Sequence, residues 1–462
     1  MAADLGPWAL DYRTATESEI LARARLMVDK RLGELAQATR DAVVSSGHTR
    51  GDVGAMVEAW FGILPNSVQA ADFPGAGIEL KTVPLSGSDR AATVKERTVL
   101  TMVDYDTLPN ETWETAAVRH KLDRILFVYY RWSPDTDLAS FPVELVTLWQ
   151  PTETQLQFME LDWLEVQEKV VRGEAHLISE GDGLMLGAAT KAADSSKLRP
   201  QPYSDIPAKP RAWSLKQTFT RALYVELKTK VQAESLMRTL EERRAAAFER
   251  VVLAHYARFV GRRVGDVAQE LGIEVGGKQG AATVLRAALG QRQPERGIKE
   301  FLELGIELKM VRADATGMPY EAMSFPAFRY RELITEDWEH SDLLARLNRF
   351  LVLPLDGAKG LAATADCILR EPFFWSPSPD ELAGIGAEWT IYRDLIAAGR
   401  AADLPGASQT RFIHVRPKAQ DSNDTDDAPV VGPVVKKCFW LNRSFVAELL
   451  RSQSWGQASA WG

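Results

Sequence analysis

The same order of short motifs occurs twice in this chain, and that repetition limits its possible folds more than any other feature. Arg31-Leu-Gly-Glu-Leu-Ala-Gln37 returns as Arg263-Val-Gly-Asp-Val-Ala-Gln269, and Gly77-Ile-Glu-Leu-Lys81 returns as Gly305-Ile-Glu-Leu-Lys309. Trp113-Glu114, with Val118, Leu122, Arg124 and Leu126, returns as Trp338-Glu339, with Leu343, Leu347, Arg349 and Leu351. Trp213-Ser-Leu-Lys-Gln-Thr-Phe219 returns as Phe439-Trp-Leu-Asn-Arg-Ser-Phe445. The offsets lie between 225 and 232 residues, far too long for a solenoid, so the chain is a tandem pair of whole domains. The expected layout is a domain over 1–230, a helical linker over 231–250 and a second domain over 251–462. The linker expectation rests on Lys228 to Arg250, a charged, strongly helix-forming stretch without Gly or Pro.

Each half has one coarse plan. A helix opens the first half, with Thr16 and Glu19 spaced as a capping box. A second helix over Val53 to Phe61, a hairpin carrying the motif and a helix around Glu114 to Asp123 follow. β-rich runs come next, Ile125 to Trp132 in the first half and Phe350 to Leu355 in the second. Helices and strands mix without regular alternation, so the fold class is α/β (mixed α+β), each domain a mixed sheet flanked by helices.

The chemistry concentrates in Asp72-Phe-Pro-Gly-Ala-Gly-Ile-Glu79-Leu-Lys81. Residues two apart on a strand share a face, so Glu79 and Lys81 project together while Ile78 and Leu80 turn to the core. Asp72 precedes the strand and can return its carboxylate to the same spot. Two carboxylates beside a lysine suit a hard divalent cation next to a group that orients water. A lone Glu-x-Lys pair on a strand is usually a solvated face; the Asp at fixed spacing sets this one apart. Two cysteines, Cys367 and Cys438, are too few for a disulfide framework and suit a reducing cytosol, so a cytoplasmic location is expected. The sequence has no H-E-x-x-H, no Cys/His pairing, no basic start followed by an apolar core and no apolar run of membrane-spanning length, so no zinc site, signal peptide or membrane span is expected. A net charge of −8 argues against a generic polyanion binder but leaves room for a local basic groove, since base contacts carry specificity.

The order Glu58, Asp72, Glu79-x-Lys81 and Trp113-Glu-Thr-x-x-Val-Arg-His-Lys121 resembles the MutH family, which joins a mismatch-repair nicking endonuclease and related type II restriction enzymes within the PD-(D/E)XK nuclease superfamily. The tandem layout, with an intact first copy and a decayed second, is similar to restriction enzymes of the staphylococcal GATC-cutting type. The resemblance implies two PD-(D/E)XK domains and Mg²⁺-dependent cleavage of double-stranded DNA, with Mn²⁺ able to substitute. By family, Asp72 and Glu79 hold the metal, Glu58 binds a second ion or a metal-bound water, Lys81 assists the attacking water, and Lys121 completes the site. The second copy places Arg286 at the Glu58 position, Glu300 at the Asp72 position and Arg346 at the Lys121 position, and keeps Glu307 and Lys309. A guanidinium in place of a metal-site carboxylate repels a cation, so the second domain is expected to bind DNA without cutting. Glu307 and Lys309 then read as a surviving structural pair or a phosphate contact.

In the mismatch-repair nuclease an Arg-Pro-Lys loop reads the site. Here Arg416-Pro417-Lys418 follows the β-like run Phe412 to Val415 in the second half, and the first half has Ala189-Thr190-Lys191, keeping only the lysine. The DNA-contact candidates are therefore Lys191, Lys216, Arg416 and Lys418, with the Lys197 to Arg211 stretch read as a further groove-contacting loop. Trp113 and Trp338 read as core anchors, and His120 as a helix-face residue beside Lys121. The acidic run Asp421, Asp424, Asp426 and Asp427 reads as a mobile solvated loop, with DNA mimicry as the minor alternative. A palindrome cut by one catalytic domain requires a dimer on DNA, two-site looping or sequential nicking. The rival readings are a partner-recruited mismatch-repair nickase, which would not need a second DNA-binding domain, and a non-cleaving reader of DNA or modified bases.

Overall fold

The computed structural model describes residues 10–38, 50–63, 71–87, 92–134, 136–179, 181–191, 197–229, 245–275, 280–291, 298–358, 364–419 and 421–455. Its contacts divide the chain into two units, Met1–Arg221 and Ala222–Gly462. Residues 231–244 of the expected linker lie outside the described residues.

In the first unit the capping box expected at the N-terminus is present: Thr16 accepts from the Glu19 amide and the Glu19 carboxylate accepts from the Thr16 amide, opening the helix Glu17–Arg25. The central sheet runs in the order Thr93–Val94, Glu79–Ser86, Ile125–Arg131, Val143–Trp149. Its middle pair is parallel, with Glu79 opposite Ile125 and Lys81 opposite Phe127. Both outer pairings are antiparallel. The parallel pair needs a crossover, and the chain between its strands supplies Thr98–Met102, a 3₁₀ turn at Trp113–Thr115 and the short helix Ala117–Lys121. The helix expected from Glu114 thus starts three residues later. Ile20, Phe61, Phe73, Ile78, Leu126 and Val128 form one core cluster beneath the sheet. Each such side chain, fully withdrawn from water, contributes about 1.5–3 kcal/mol.

A second antiparallel sheet in the order Thr98–Met102, Arg211–Leu215, Leu186–Thr190 completes the unit. The long helix Glu153–Val171 opens on a Thr152/Gln155 capping box. The stretch Lys197 to Arg211, expected as a loop, is instead the antiparallel hairpin Arg199–Gln201 with Ser204–Ala208, leading into Arg211–Leu215. Proline lacks the amide that a strand ladder uses, so a reading by composition took this proline-bearing stretch for a loop.

The second unit repeats this topology. Ile306–Ala313 pairs parallel with Arg349–Asp356, which pairs antiparallel with Ile368–Leu369 and Phe373–Trp375. Met323–Ala327, Lys437–Leu441 and Ile413–Pro417 form the smaller sheet, and Thr425–Ala428 with Gly432–Val435 form the hairpin. The long helix Pro379–Ala397 again opens on a capping box, Ser378 with Glu381. Trp338 packs on Trp389 as Trp113 packs on Trp163, ring centroids 5.8 and 6.0 Å apart.

Two expectations for this unit need correction. The hairpin expected ahead of Gly305 is a helical turn, Lys299–Glu303. The acidic run is no mobile loop: Asp426 accepts from the Tyr330 amide at 3.0 Å, Asp427 pairs with Arg331 at 2.6 Å, and Asp424 pairs with Lys436. Three of its four charges thus have specific partners, and Asp421 accepts from the Asn423 amide at 2.8 Å.

Candidate active site

The Asp72 turn is closed by a two-way backbone bridge. The Phe73 amide donates to the Ile78 carbonyl at 2.9 Å and the Ile78 amide donates back at 3.3 Å. Gly77 has φ +63°, which a side chain would disfavour. At Gly75 a Cβ would stand 2.6 Å from the Arg13 carbonyl oxygen, so only glycine lets the two segments meet. This turn brings Asp72 back onto the strand, where its Oδ2 accepts from the Leu80 amide at 2.8 Å.

Glu79 opens the strand and is 2% exposed. Its Oε1 lies 2.9 Å from Lys81 Nζ. Lys121, the last residue of Ala117–Lys121, donates to both carboxylate oxygens, at 2.9 and 3.0 Å. Glu58 comes from the last turn of the helix Arg50–Trp60. Burial, then the charge of Asp72, pushes the Glu58 carboxyl above its ordinary value; Lys81 pulls it down and Glu79 raises it. Burial, then Glu79, raises Asp72, against the Leu80 amide and the charges of Lys81 and Lys121. The structure therefore brings together all five side chains that the sequence pointed to. Two of the three carboxyls are held in a state that a cation would relieve. Among the described residues no group of three His, Cys, Asp or Glu side chains forms a ready-made metal cage, and both Glu79 oxygens accept from the Lys121 ammonium. The cysteines Cys367 and Cys438 are both buried and are not joined in a disulfide.

The matching place in the second unit is built differently. Gly305 repeats the left-handed backbone, φ +61°, and Lys309 Nζ lies 2.8 Å from Glu307 Oε2. Lys309 also donates to the Ser324 carbonyl at 3.3 Å and lies over the Phe325 and Phe350 rings. Glu300 is buried on a helical turn rather than presented by a hairpin. Arg346 pairs with Asp342 at 2.7 Å; burial acts to lower its pKa, and the charges of Asp342, Glu307 and Glu336 outweigh that. Arg286, on the helix Gly280–Ala288, brings its charge to bear on buried Tyr256.

The DNA-contact candidates divide. Lys191 is exposed just past Leu186–Thr190, its amide donating to Pro210 at 3.0 Å. Arg416 is exposed near the end of Ile413–Pro417, its guanidinium 5.9 Å from the Trp440 ring centre. Lys418 is exposed but donates to the Phe325 carbonyl at 2.6 Å. Lys216 departs from expectation: it is 2% exposed and its Nζ donates to the Gly181 carbonyl at 3.3 Å, so it braces the protein interior rather than facing solvent. Two carboxylates that the sequence reading passed over, Asp162 and Glu388, each hold three successive backbone amides. The signal for them was an acidic residue followed by Trp at the repeat spacing, Asp162-Trp163 and Glu388-Trp389.

An Asp turn answered by Glu-x-Lys on the first strand of a mixed sheet, present intact in one of two like units, defines a tandem PD-(D/E)XK nuclease. The family profile described as the DNA mismatch repair enzyme MutH matches residues 61–162 and again 289–388. The chain is similar to the type II restriction enzyme Sau3AI of Staphylococcus aureus, 28% identical over 339 residues, covering 71% of this chain and 68% of that enzyme. It is also similar to the DNA mismatch repair proteins MutH of Salmonella paratyphi C and Salmonella choleraesuis, each 34% identical over 216 residues, covering 45% of this chain and 91% of the relative. The chain belongs to the MutH family. Among the described residues no helix is long and apolar enough to cross a membrane.

Proposed function

We propose that this site-specific deoxyribonuclease is a Mg²⁺-dependent type II restriction enzyme that cuts both strands of DNA at GATC, with its first unit as the cutting unit. One observation carries the reading: Glu58, Asp72 and Glu79 lie within electrostatic reach of one another and of Lys81, Lys121 pairs with Glu79, and burial and mutual repulsion raise two of the carboxyls. The donors are all carboxylate oxygens, the set that hard divalent cations take. Asp72 and Glu79 would hold the ion and Glu58 a second ion or a metal-bound water. When bound, Mg²⁺ supplies charge neutralisation at the scissile phosphate and a more acidic attacking water. Lys81 orients that water and stabilises negative charge as it develops. Lys121 balances the Glu79 charge, and must release at least one oxygen of that carboxylate before Glu79 can act as a ligand. Lys191, at the end of its strand, contacts DNA beside the cutting unit.

The second unit binds a further copy of the site through Arg416 and Lys418 and acts as an effector. The arginine at 286, the Arg346–Asp342 pair and the helical turn around Glu300 support a unit that does not cut. One cutting unit per chain then implies two chains at a site, two sites looped together, or sequential nicking of the two strands. Digestion of unmethylated DNA by the protein alone, followed by sequencing of the ends, tests the reading. Double-strand breaks at GATC are expected; nicks alone would favour a mismatch-repair nickase, and intact DNA with Mg²⁺ or Mn²⁺ would favour a non-cleaving reader.

A further inference from the structure

In the first unit the long helix Glu153–Val171 turns a single carboxylate inward. Asp162 is 5% exposed and accepts from three consecutive amides: Leu184 at 2.7 Å, Met185 at 2.8 Å and Leu186 at 2.9 Å. In the second unit the helix Pro379–Ala397 makes the same contact with a longer, half-buried side chain. Glu388 accepts from Arg411 at 2.7 Å, from Phe412 at 3.2 and 3.1 Å, and from Ile413 at 2.8 Å. The two carboxylates stand 226 positions apart, and each precedes a buried Trp. The residue type changed between the copies while the contact with three amides stayed.

Each amide triplet leads into one strand of the smaller sheet, Leu186–Thr190 or Ile413–Pro417. Lys191 stands at the far end of the first, and Arg416 and Lys418 at that of the second. Around Asp162 the fit is close. A Cβ at Gly183 would lie 3.1 Å from the Asp162 Cγ and 2.0 Å from the Leu186 carbonyl oxygen, so a side chain there would displace the carboxylate or the strand. Burial pushes the Asp162 carboxyl up to about 6, with the three amides and the Lys216 charge acting against it.

We infer that Asp162 and Glu388 are positioning residues that latch the first residues of the DNA-reading strand in each unit and so fix where Lys191, and Arg416 with Lys418, meet the groove. The inference rests on the proposal that those strand ends contact DNA. The physical need is register. A slip of one residue moves a strand end by about 3.3 Å and turns every side chain to the other face. Base contacts tolerate only about 0.5 Å of misplacement. Charge-assisted bonds to one buried carboxylate are the strongest local means of preventing such a slip.

The test uses the full chain carrying Asp162→Asn, which keeps the shape but turns an amide NH₂ towards a backbone N–H. Amide exchange at Leu184 to Leu186 should quicken about tenfold or more, the scale of one lost charge-assisted bond, while Glu79–Ser86 stays as in the parent. Discrimination between the cognate site and a site altered at one base should fall about tenfold, with the single-turnover rate at saturating cognate DNA within about threefold of the parent. Glu388→Gln should quicken exchange at Arg411 to Ile413 in the same way. Unchanged exchange in both variants overturns the latch. Faster exchange with undiminished discrimination overturns its role in recognition. Global unfolding of both variants also overturns the inference, since the carboxylates would then be general props of the fold. If cognate DNA does not slow exchange at residues 187–191 in the parent protein, the inference falls through the reading of the strand end, whatever the latch does.

Discussion

Replacing Glu79 with Gln removes one charge from the most crowded point of the first unit, and its cost follows from the geometry. The Glu79 side chain is 3% exposed, and the two lysines on it, Lys81 and Lys121, are 21% and 14% exposed. Breaking a fully buried ion pair by deleting one partner costs about 3–5 kcal/mol. Both lysine side chains are partly exposed, so the loss here should be about 1–3 kcal/mol. The same change at Glu307 meets a 35% exposed side chain with one lysine at 2.8 Å, and Lys309 keeps its Ser324 carbonyl. Glu307→Gln should therefore cost about 0–1 kcal/mol. Amide exchange resolved to Glu79–Ser86 and to Ile306–Ala313 across a urea series reads each unit separately. Cleavage should split as well. Losing a metal-site carboxylate should slow the single-turnover rate about a thousandfold or more, roughly 4 kcal/mol at 1.36 kcal/mol per tenfold, while Glu307→Gln leaves the chemical step in place. Equal losses from both substitutions, in stability and in rate, would refute the assignment of one cutting unit and one silent unit.

Lys81→Ala should abolish cleavage yet spare binding of cognate DNA in a gel-shift assay, and Lys309→Ala should leave the single-turnover rate of cleavage intact. The pH response follows from Glu58 and Asp72, whose carboxyls are raised in the folded chain. A raised acid favours the fold below its unfolded pKa and loses that contribution as pH rises through the folded value, so Glu58→Gln should stabilise the metal-free protein at neutral pH; a lower melting temperature than the parent would count against this. Metal binding runs the other way, because it needs both acids ionised, so the acid limb of the cleavage profile should lie above the ordinary carboxylate range. Plasmids with two sites should be cut faster per site than plasmids with one; indistinguishable rates at every protein concentration would remove the effector role.

The chemistry of the first unit was legible because it is local. Asp72, Glu79 and Lys81 lie within ten residues, and strand periodicity alone puts the last two on one face. The repeat was legible because its motifs sit at element junctions: Trp213 to Phe219 and Phe439 to Phe445 both run from a strand into a helix. What the sequence hid was partnership at long range. Lys216 follows a strand and looks like a groove contact until the Gly181 carbonyl closes on it. Asp426 and Asp427 look like solvated charge until the Tyr330 amide and Arg331 take them up. Glu300 looks like a lengthened Asp72, but without the Gly75 contact and the Phe73 bridge its segment winds into a helical turn. Asp162 and Glu388 lie mid-helix, and only the fold reveals the amides that need them.

The central claim is that the first unit builds a working metal pocket and the second does not. Crystals soaked in Mn²⁺ and measured for anomalous scattering test it directly. The account predicts a peak bounded by Asp72 and Glu79, with the Lys121 ammonium drawn away from at least one Glu79 oxygen, and no peak beside Glu307. A peak beside Glu307 with none beside Asp72 would contradict it.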